Sequence, residues 1–277
     1  MFIATVAAAG LLMTTPADTR PAPAERIELP DRAEYRASLW TYRSSGLAVR
    51  ALVAEPFGPP PADGFPVIIA NHGFVPNPAR YGITATGENR RPGDYYRAVP
   101  ELFTARGFIV VMPDYRGHND SEGAGQTSGD AAPRRYADDV RALLEALARL
   151  ERVNLRQVFA WGHSMGVEVT LRALVPGTEP AAQVVRVRGL ALWSAAVGAP
   201  DSMALLAPIQ FQHSEADPVA PSEVSRRLAA TSAAQGRLHA LHLLPGSAHM
   251  FEGQALVDAV ERDVRFFRGL MLEESAR

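Results

Sequence analysis

The run Gln157-Val158-Phe159-Ala160-Trp161-Gly162-His163-Ser164-Met165-Gly166-Val167-Glu168-Val169 carries the reading of this chain. Gln157–Ala160 is a short, largely apolar stretch typical of a buried strand, and Val167–Leu174 reads as a helix that stops before Pro176. Between them lies Gly162-His163-Ser164-Met165-Gly166, a Gly-x-Ser-x-Gly pattern at a strand-to-helix turn. The spacing has a steric origin. A serine on so sharp a turn takes a strained backbone, and glycines on either side let neighbouring chain pass close by. The helix behind it aims free N–H groups and a positive dipole end at the serine, where an oxyanion can be held.

Upstream of that run, strands and helices alternate. Tyr35–Tyr42 and Leu47–Glu55 form a hairpin about Ser45-Gly46, and Val67-Ile68-Ile69-Ala70 is a continuous apolar strand. Tyr95–Arg106 reads as a helix ending at Gly107, Phe108–Met112 as the next strand, and Arg134–Glu151 as a helix. The last carries Val140, Leu143, Leu144, Leu147 and Leu150 on one stripe. Downstream, Leu190–Trp193, Ile209–Gln212 and Leu241–Leu244 are short strands. Ser222–Ala234 and Leu256–Leu272 are helices, the first with Ser222 as its N-cap. Alternation of this kind predicts an α/β protein with a mostly parallel central sheet and helices on both faces.

Composition narrows the function. The chain has 277 residues, 47% hydrophobic and 21% charged, and its formal charge is −2. There is no basic field to collect nucleic acid. Cysteine is absent, which rules out disulfides, thiolate catalysis and Cys-ligated metal centres. No Gly-x-Gly-x-x-Gly follows a strand, and neither a phosphate-binding loop nor His-Glu-x-x-His occurs, so no cofactor or metal is expected.

Phe2–Met13 is apolar but at twelve residues is shorter than the roughly 20 a membrane span needs. With Ala22-Pro23-Ala24 behind it, it reads as the core of an export signal, although no Lys or Arg precedes Arg20. The expected organisation is a signal or flexible segment over 1–24 and one catalytic domain over 25–277, exported, without stable membrane insertion.

A serine hydroxyl is a poor nucleophile until a base takes its proton and an acid orients that base. In enzymes built on this turn the order along the chain is Ser, then Asp or Glu, then His, each just beyond a strand end. His213-Ser214-Glu215-Ala216-Asp217-Pro218-Val219-Ala220-Pro221 follows the strand Ile209–Gln212, and Pro245-Gly246-Ser247-Ala248-His249 follows Leu241–Leu244. His249 is the expected base, ahead of His118, His213, His239 and His242. Asp217 is the preferred acid, with Glu215 and Asp201 as rivals. Two backbone N–H groups should hold the oxyanion: that of Met165, directly after Ser164, and that of Phe74 in Asn71-His72-Gly73-Phe74. Asn71 and His72 are expected to hold this loop, and Asp114 and Asp139 to brace structure. The pocket walls fall on Val75–Asp94 and Ala195–Leu206, whose shape sequence does not provide.

Asn71–Phe74, Pro113–Gly123 (PDYRGHNDSEG), Tyr136–Val140 (YADDV), Gly162–Gly166, Asp217 and His249 together resemble the α/β-hydrolase superfamily over the chain from about Glu34 onward. Within it the chain is similar to prolyl-oligopeptidase-type serine peptidases and to dienelactone-hydrolase-like and bacterial esterases. The resemblance implies an acyl-enzyme mechanism, with Ser164 as nucleophile, His249 as proton carrier and Asp217 fixing the imidazole. No propeller is expected before the domain, and only 15 residues separate Trp193 from Ile209, too few for a helical cap. An open site follows, suited to a small ester or short peptide, with carboxylesterase activity ahead of peptidase activity.

Overall fold

A computed structural model describes residues 25–29, 31–74, 96, 98–126, 131–174, 185–196 and 206–275. The expected signal segment 1–24, the loop 75–95 and residues 197–205, including Asp201, lie outside the described residues.

Among the described residues nine strands form one sheet. In chain order they are β1 (Glu25–Glu28), β2 (Arg36–Ser44), β3 (Leu47–Glu55), β4 (Phe65–Asn71), β5 (Ile109–Pro113), β6 (Val153–His163), β7 (Val187–Trp193), β8 (Ile209–Ser214) and β9 (Leu238–Leu244). The spatial order is β1-β2-β3-β5-β4-β6-β7-β8-β9. β1, β2, β3 and β5 pair antiparallel in succession, and every pairing from β5 to β9 is parallel. The β2–β3 turn places Ser45 at φ 48° and Gly46 at φ 84°, the left-handed pair that matches the twist of a two-residue hairpin.

Among the described residues five helices cover the sheet: α1 (Ala98–Thr104), α2 (Ala132–Ala146), α3 (Met165–Leu174), α4 (Glu223–Ala234) and α5 (Gly253–Ser275). The period-2 geometry of the strands divides their side chains between two cores. Val67, Ile69, Val158 and Ala160 join α2, α3 and α4 on one face. Ile68, Ala70, Phe159 and Trp161 join α1 and α5 on the other. Parallel strands buried on both sides explain the unbroken apolar runs in the sequence.

Three local expectations are corrected. The helix expected over Arg134–Glu151 ends at Ala146 and tightens into a 3-10 turn over Leu147–Arg149, because the apolar stripe reports burial, which the tighter turn preserves at Leu147. β6 starts at Val153, four residues before the apolar run, since its first half is only partly covered and carries Asn154 and Arg156. Ser222 precedes α4 but makes no capping bond; its hydroxyl donates instead to the carbonyl of Glu215 at 3.1 Å. Among the described residues no helix is long and apolar enough to cross a membrane.

The strand order reverses at β4. The chain leaves β4 through α1 to reach β5 on one side, then returns from β5 through α2 to β6 on the other. In an open parallel sheet the crevice beyond the carboxyl ends of two such strands is where ligands bind. Asn71 ends β4 directly beside Gly162 of β6.

Candidate active site

Ser164 sits at this reversal with φ 57°, a left-handed backbone that a side-chain-bearing residue adopts at a cost. Its N–H is held by the Trp193 carbonyl of β7 at 3.0 Å, and its own carbonyl accepts Val167 N–H. Two glycines make the turn possible. A Cβ on Gly162 would lie 2.7 Å from Thr170 Oγ1 and 2.8 Å from the Gly166 carbonyl, and one on Gly166 would overlap the Asn71 carbonyl. Both backbones therefore pass where no larger residue fits.

Asn71 Nδ2 donates to Thr170 Oγ1 at 2.8 Å, and Thr170 Oγ1 donates to Gly166 O at 2.7 Å. This ties the end of β4 to the helix behind the serine. His72 is fully buried and packs against Tyr115 with ring centroids 4.2 Å apart and the planes tilted by 31°. Burial holds its pKa well below the ordinary histidine value, so the ring is a neutral brace. Both residues hold the loop, as expected.

The two downstream strand ends deliver the partners. His249 Nε2 lies 3.0 Å from Ser164 Oγ, and His249 Nδ1 lies 2.8 Å from Asp217 Oδ2. Asp217 Oδ1 accepts N–H from Val219 at 2.8 Å and Ala220 at 3.0 Å, a turn created by the Asp-Pro-Val-Ala sequence. Burial works to raise the Asp217 pKa, but Ala220 N–H, His249 and Val219 N–H outweigh it and hold the carboxyl below its usual value. Asp217 is thus an ionised acceptor facing the imidazole. Glu215 is exposed. His239 and His242 lie in β9.

Ser164, Asp217 and His249 are therefore brought together. Met165 follows Ser164 as the first residue of α3. Gly73 N–H is already donated to Tyr96 Oη at 2.9 Å, which leaves the Phe74 N–H as the next donor along the loop.

Three residues here take roles that the sequence did not assign them, His213 having been weighed only as a rival base. His213 Nε2 donates to Ala220 O at 2.9 Å and lies 3.2 Å from Asp217 Oδ2; burial lowers its pKa, so it supports the acid's turn as a neutral ring. Tyr96 Oη is 2.7 Å from His163 Nδ1, and His163 Nε2 is 2.9 Å from the carbonyl of His249. His163 fills the first variable position of Gly-x-Ser-x-Gly, a cue that could have drawn attention to it. Tyr96 offers no cue, since only the fold brings it to a residue 67 positions later.

Behind this belt Arg116 forms a bidentate pair with Asp139, 2.7 Å at its shortest, and its backbone N–H adds a bond to the same carboxylate. Asp114 is buried, with its pKa raised well above normal by burial. Both acids brace the loops, in keeping with their expected structural roles.

An esterase from Thermogutta terrifontis superimposes with a TM-score of 0.62 at 18% identity, over 83% of this chain and 91% of the esterase. Dipeptidyl peptidase 4 from Porphyromonas gingivalis gives 0.61 at 15% identity, and a puromycin-hydrolyzing peptidase from Mycobacterium tuberculosis 0.64 at 19%. They cover 85% and 84% of this chain, which spans only 36% and 39% of their lengths. The fold is that of the α/β-hydrolases. A family described as "Serine aminopeptidase, S33" matches residues 89–210, a stretch that contains Ser164 but neither Asp217 nor His249. None of the curated proteins matches the sequence. The expected resemblance is borne out at the level of the fold, which an esterase, a dipeptidyl peptidase and a match to the S33 family share. The matching family and these neighbours are esterases and peptidases.

Proposed function

We propose that this α/β-hydrolase cleaves a carboxylic ester by nucleophilic catalysis from Ser164. The observation that carries the reading is the continuous hydrogen-bonded chain from Asp217 through His249 to Ser164 Oγ at the strand ends. His249 Nε2 takes the Oγ proton as Oγ attacks the acyl carbon. Ionised Asp217 accepts the Nδ1–H throughout and fixes the tautomer. The carbonyl oxygen, now anionic, is held by the N–H groups of Met165 and Phe74; losing one such donor typically costs about 2.7–4 kcal/mol of transition-state stabilisation. Collapse expels the alcohol, which receives its proton from His249. Water then repeats the sequence on the acyl-enzyme and releases the acid.

Peptide cleavage is the second reading, supported by the matching aminopeptidase family and the two peptidases sharing the fold. Nitrophenyl esters of increasing acyl length, assayed beside aminoacyl and dipeptidyl nitroanilides with wild type and Ser164→Ala, separate the two. The ester reading expects Ser164-dependent turnover of esters and little of anilides. Comparable anilide turnover would favour the peptidase, and full activity of Ser164→Ala would remove both. Export through the N-terminal apolar segment is part of the proposal, and cell fractionation checks it.

A further inference from the structure

The hydrogen bonds around Tyr96 can run in only one direction. The carbonyl of His249 accepts and cannot donate, so His163 Nε2, 2.9 Å away, must carry the ring's proton. Burial lowers the His163 pKa to about 3, so the ring is neutral at ordinary pH and its Nδ1 is bare. The Tyr96 hydroxyl, 2.7 Å from Nδ1, must therefore donate to it, and its oxygen is left to accept the N–H of Gly73 at 2.9 Å. A single path results: Gly73 N–H to Tyr96, Tyr96 O–H to His163, and His163 N–H to the His249 backbone.

Its two ends are the loop expected to hold the oxyanion and the residue expected to move the proton. Gly73 is also wedged between the two sides of the site. A Cβ placed on it would lie 2.6 Å from Tyr96 Oη and 3.0 Å from Ser164 Cβ. The Tyr96 hydroxyl thus fixes the His72–Gly73 peptide immediately beside the nucleophile, while His72 Nδ1, 2.7 Å from the Gly73 carbonyl, holds the next peptide, whose N–H is that of Phe74.

We propose that Tyr96 is a positioning residue: held between Gly73 N–H and His163, its hydroxyl aligns the oxyanion loop against the base. It touches no reacting atom. The inference rests on the serine-hydrolase reading above. An aligned donor matters most once charge has developed on the carbonyl oxygen, so its loss falls on the transition state and leaves substrate binding in place.

The test uses the full chain and a nitrophenyl ester that the wild type turns over. Tyr96→Phe is expected to lower kcat about 10- to 100-fold, less than the ~10²–10³ of losing a direct donor, with KM within about twofold. His163→Leu should match that loss, and Tyr96→Phe/His163→Leu should cost no more than either alone, since both cut one path. His163→Asn gives up the donor to the His249 carbonyl but places an acceptor where Nδ1 stood, which keeps the Tyr96 hydroxyl oriented toward Gly73 N–H, and should lose less kcat than His163→Leu. An unchanged kcat, a rise in KM alone, or additive losses in the double variant would overturn the proposal. If Tyr96→Phe does not fold, equal losses in His163→Asn and His163→Leu overturn it. Ser164→Ala is assayed alongside. If Ser164→Ala is inactive while Tyr96→Phe keeps wild-type kcat, only the positioning role falls; if Ser164→Ala is active, the hydrolase reading itself falls.

Discussion

Asp217 and Asp263 are two buried carboxyls, each accepting three close hydrogen bonds, and their pKa values move in opposite directions. Asp217 accepts from Val219 N–H, Ala220 N–H and His249. Asp263, on α5, accepts from Trp193 Nε1 at 2.8 Å and from the amides of Gln210 and Gln212 at 2.7 Å. Asp217 is held below its usual value, whereas burial pushes Asp263 up to about 7 against the pull of its three donors. The number of donors does not separate them. Asp217 lies at a strand end, where an imidazole that can become cationic faces it, while Asp263 is fully buried among the sheet's side chains, where neutral amides do not replace water. Location in the fold gives one carboxyl the place of the proposed catalytic acid and has the other fasten α5 across β7 and β8.

Substitution with the isosteric amide should expose that division most clearly. Asp217→Asn loses the acceptor that fixes the His249 tautomer, and kcat should fall on the order of 10⁴-fold in a chain that still folds. Asp263→Asn should leave kcat within a few-fold of wild type. Equal losses in steady-state assays of the two variants would erase the contrast.

A third buried acid sharpens it. Asp139 is fully buried and pairs with Arg116, so its charge is neutralised by a permanent cation. Asp139→Ala strands that guanidinium and should cost about 3–5 kcal/mol in urea unfolding. Asp138, the next residue toward the N-terminus, pairs with Arg141 at an exposed position, and Asp138→Ala should change stability by less than about 0.5 kcal/mol.

Between these extremes lies the pH dependence of Asp263. With a folded-state value of about 7 against roughly 3.9 unfolded, the folded chain keeps a proton between those limits that the unfolded chain has released. The contribution of this group to stability is complete below about pH 4 and drains away as pH rises toward 7, by an amount of order a few kcal/mol. Asp263→Asn has no such proton. Unfolding at pH 5 and pH 8 should therefore show the variant gaining on wild type at the higher pH; parallel shifts would mean that Asp263 ionises normally.

The alternation of strands and helices was legible because two-faced burial writes itself as apolar runs and helical stripes. The nucleophile turn was legible because its steric demand selects glycine at fixed spacing. β1, Glu-Arg-Ile-Glu, was not: it is a largely exposed edge strand whose charged residues leave no apolar pattern. Asp263 was within reach, since it occupies the same apolar stripe of α5 as Leu256, Ala259, Val260 and Phe267, and a lone acid on such a stripe announces a buried polar contact. Tyr96 and His213 were not, because what gives them a role is a partner supplied by the fold and no feature of their own flanking residues.

The reversal of strand order at β4 also bears on how the molecule comes into being. β4 is flanked by β5 and β6, and its pairing of Asn71 with Gly162 closes a loop of about 90 residues, whereas the β2–β3 hairpin closes over two. Pairings that distant are slow to form and leave apolar strand edges unprotected meanwhile. The hairpin can assemble during synthesis, but β4 must wait for β6 to be made, and the crevice for His249 after that. Recovery of Ser164-dependent turnover during refolding should accordingly trail the recovery of secondary structure, which makes catalysis itself a late reporter of assembly.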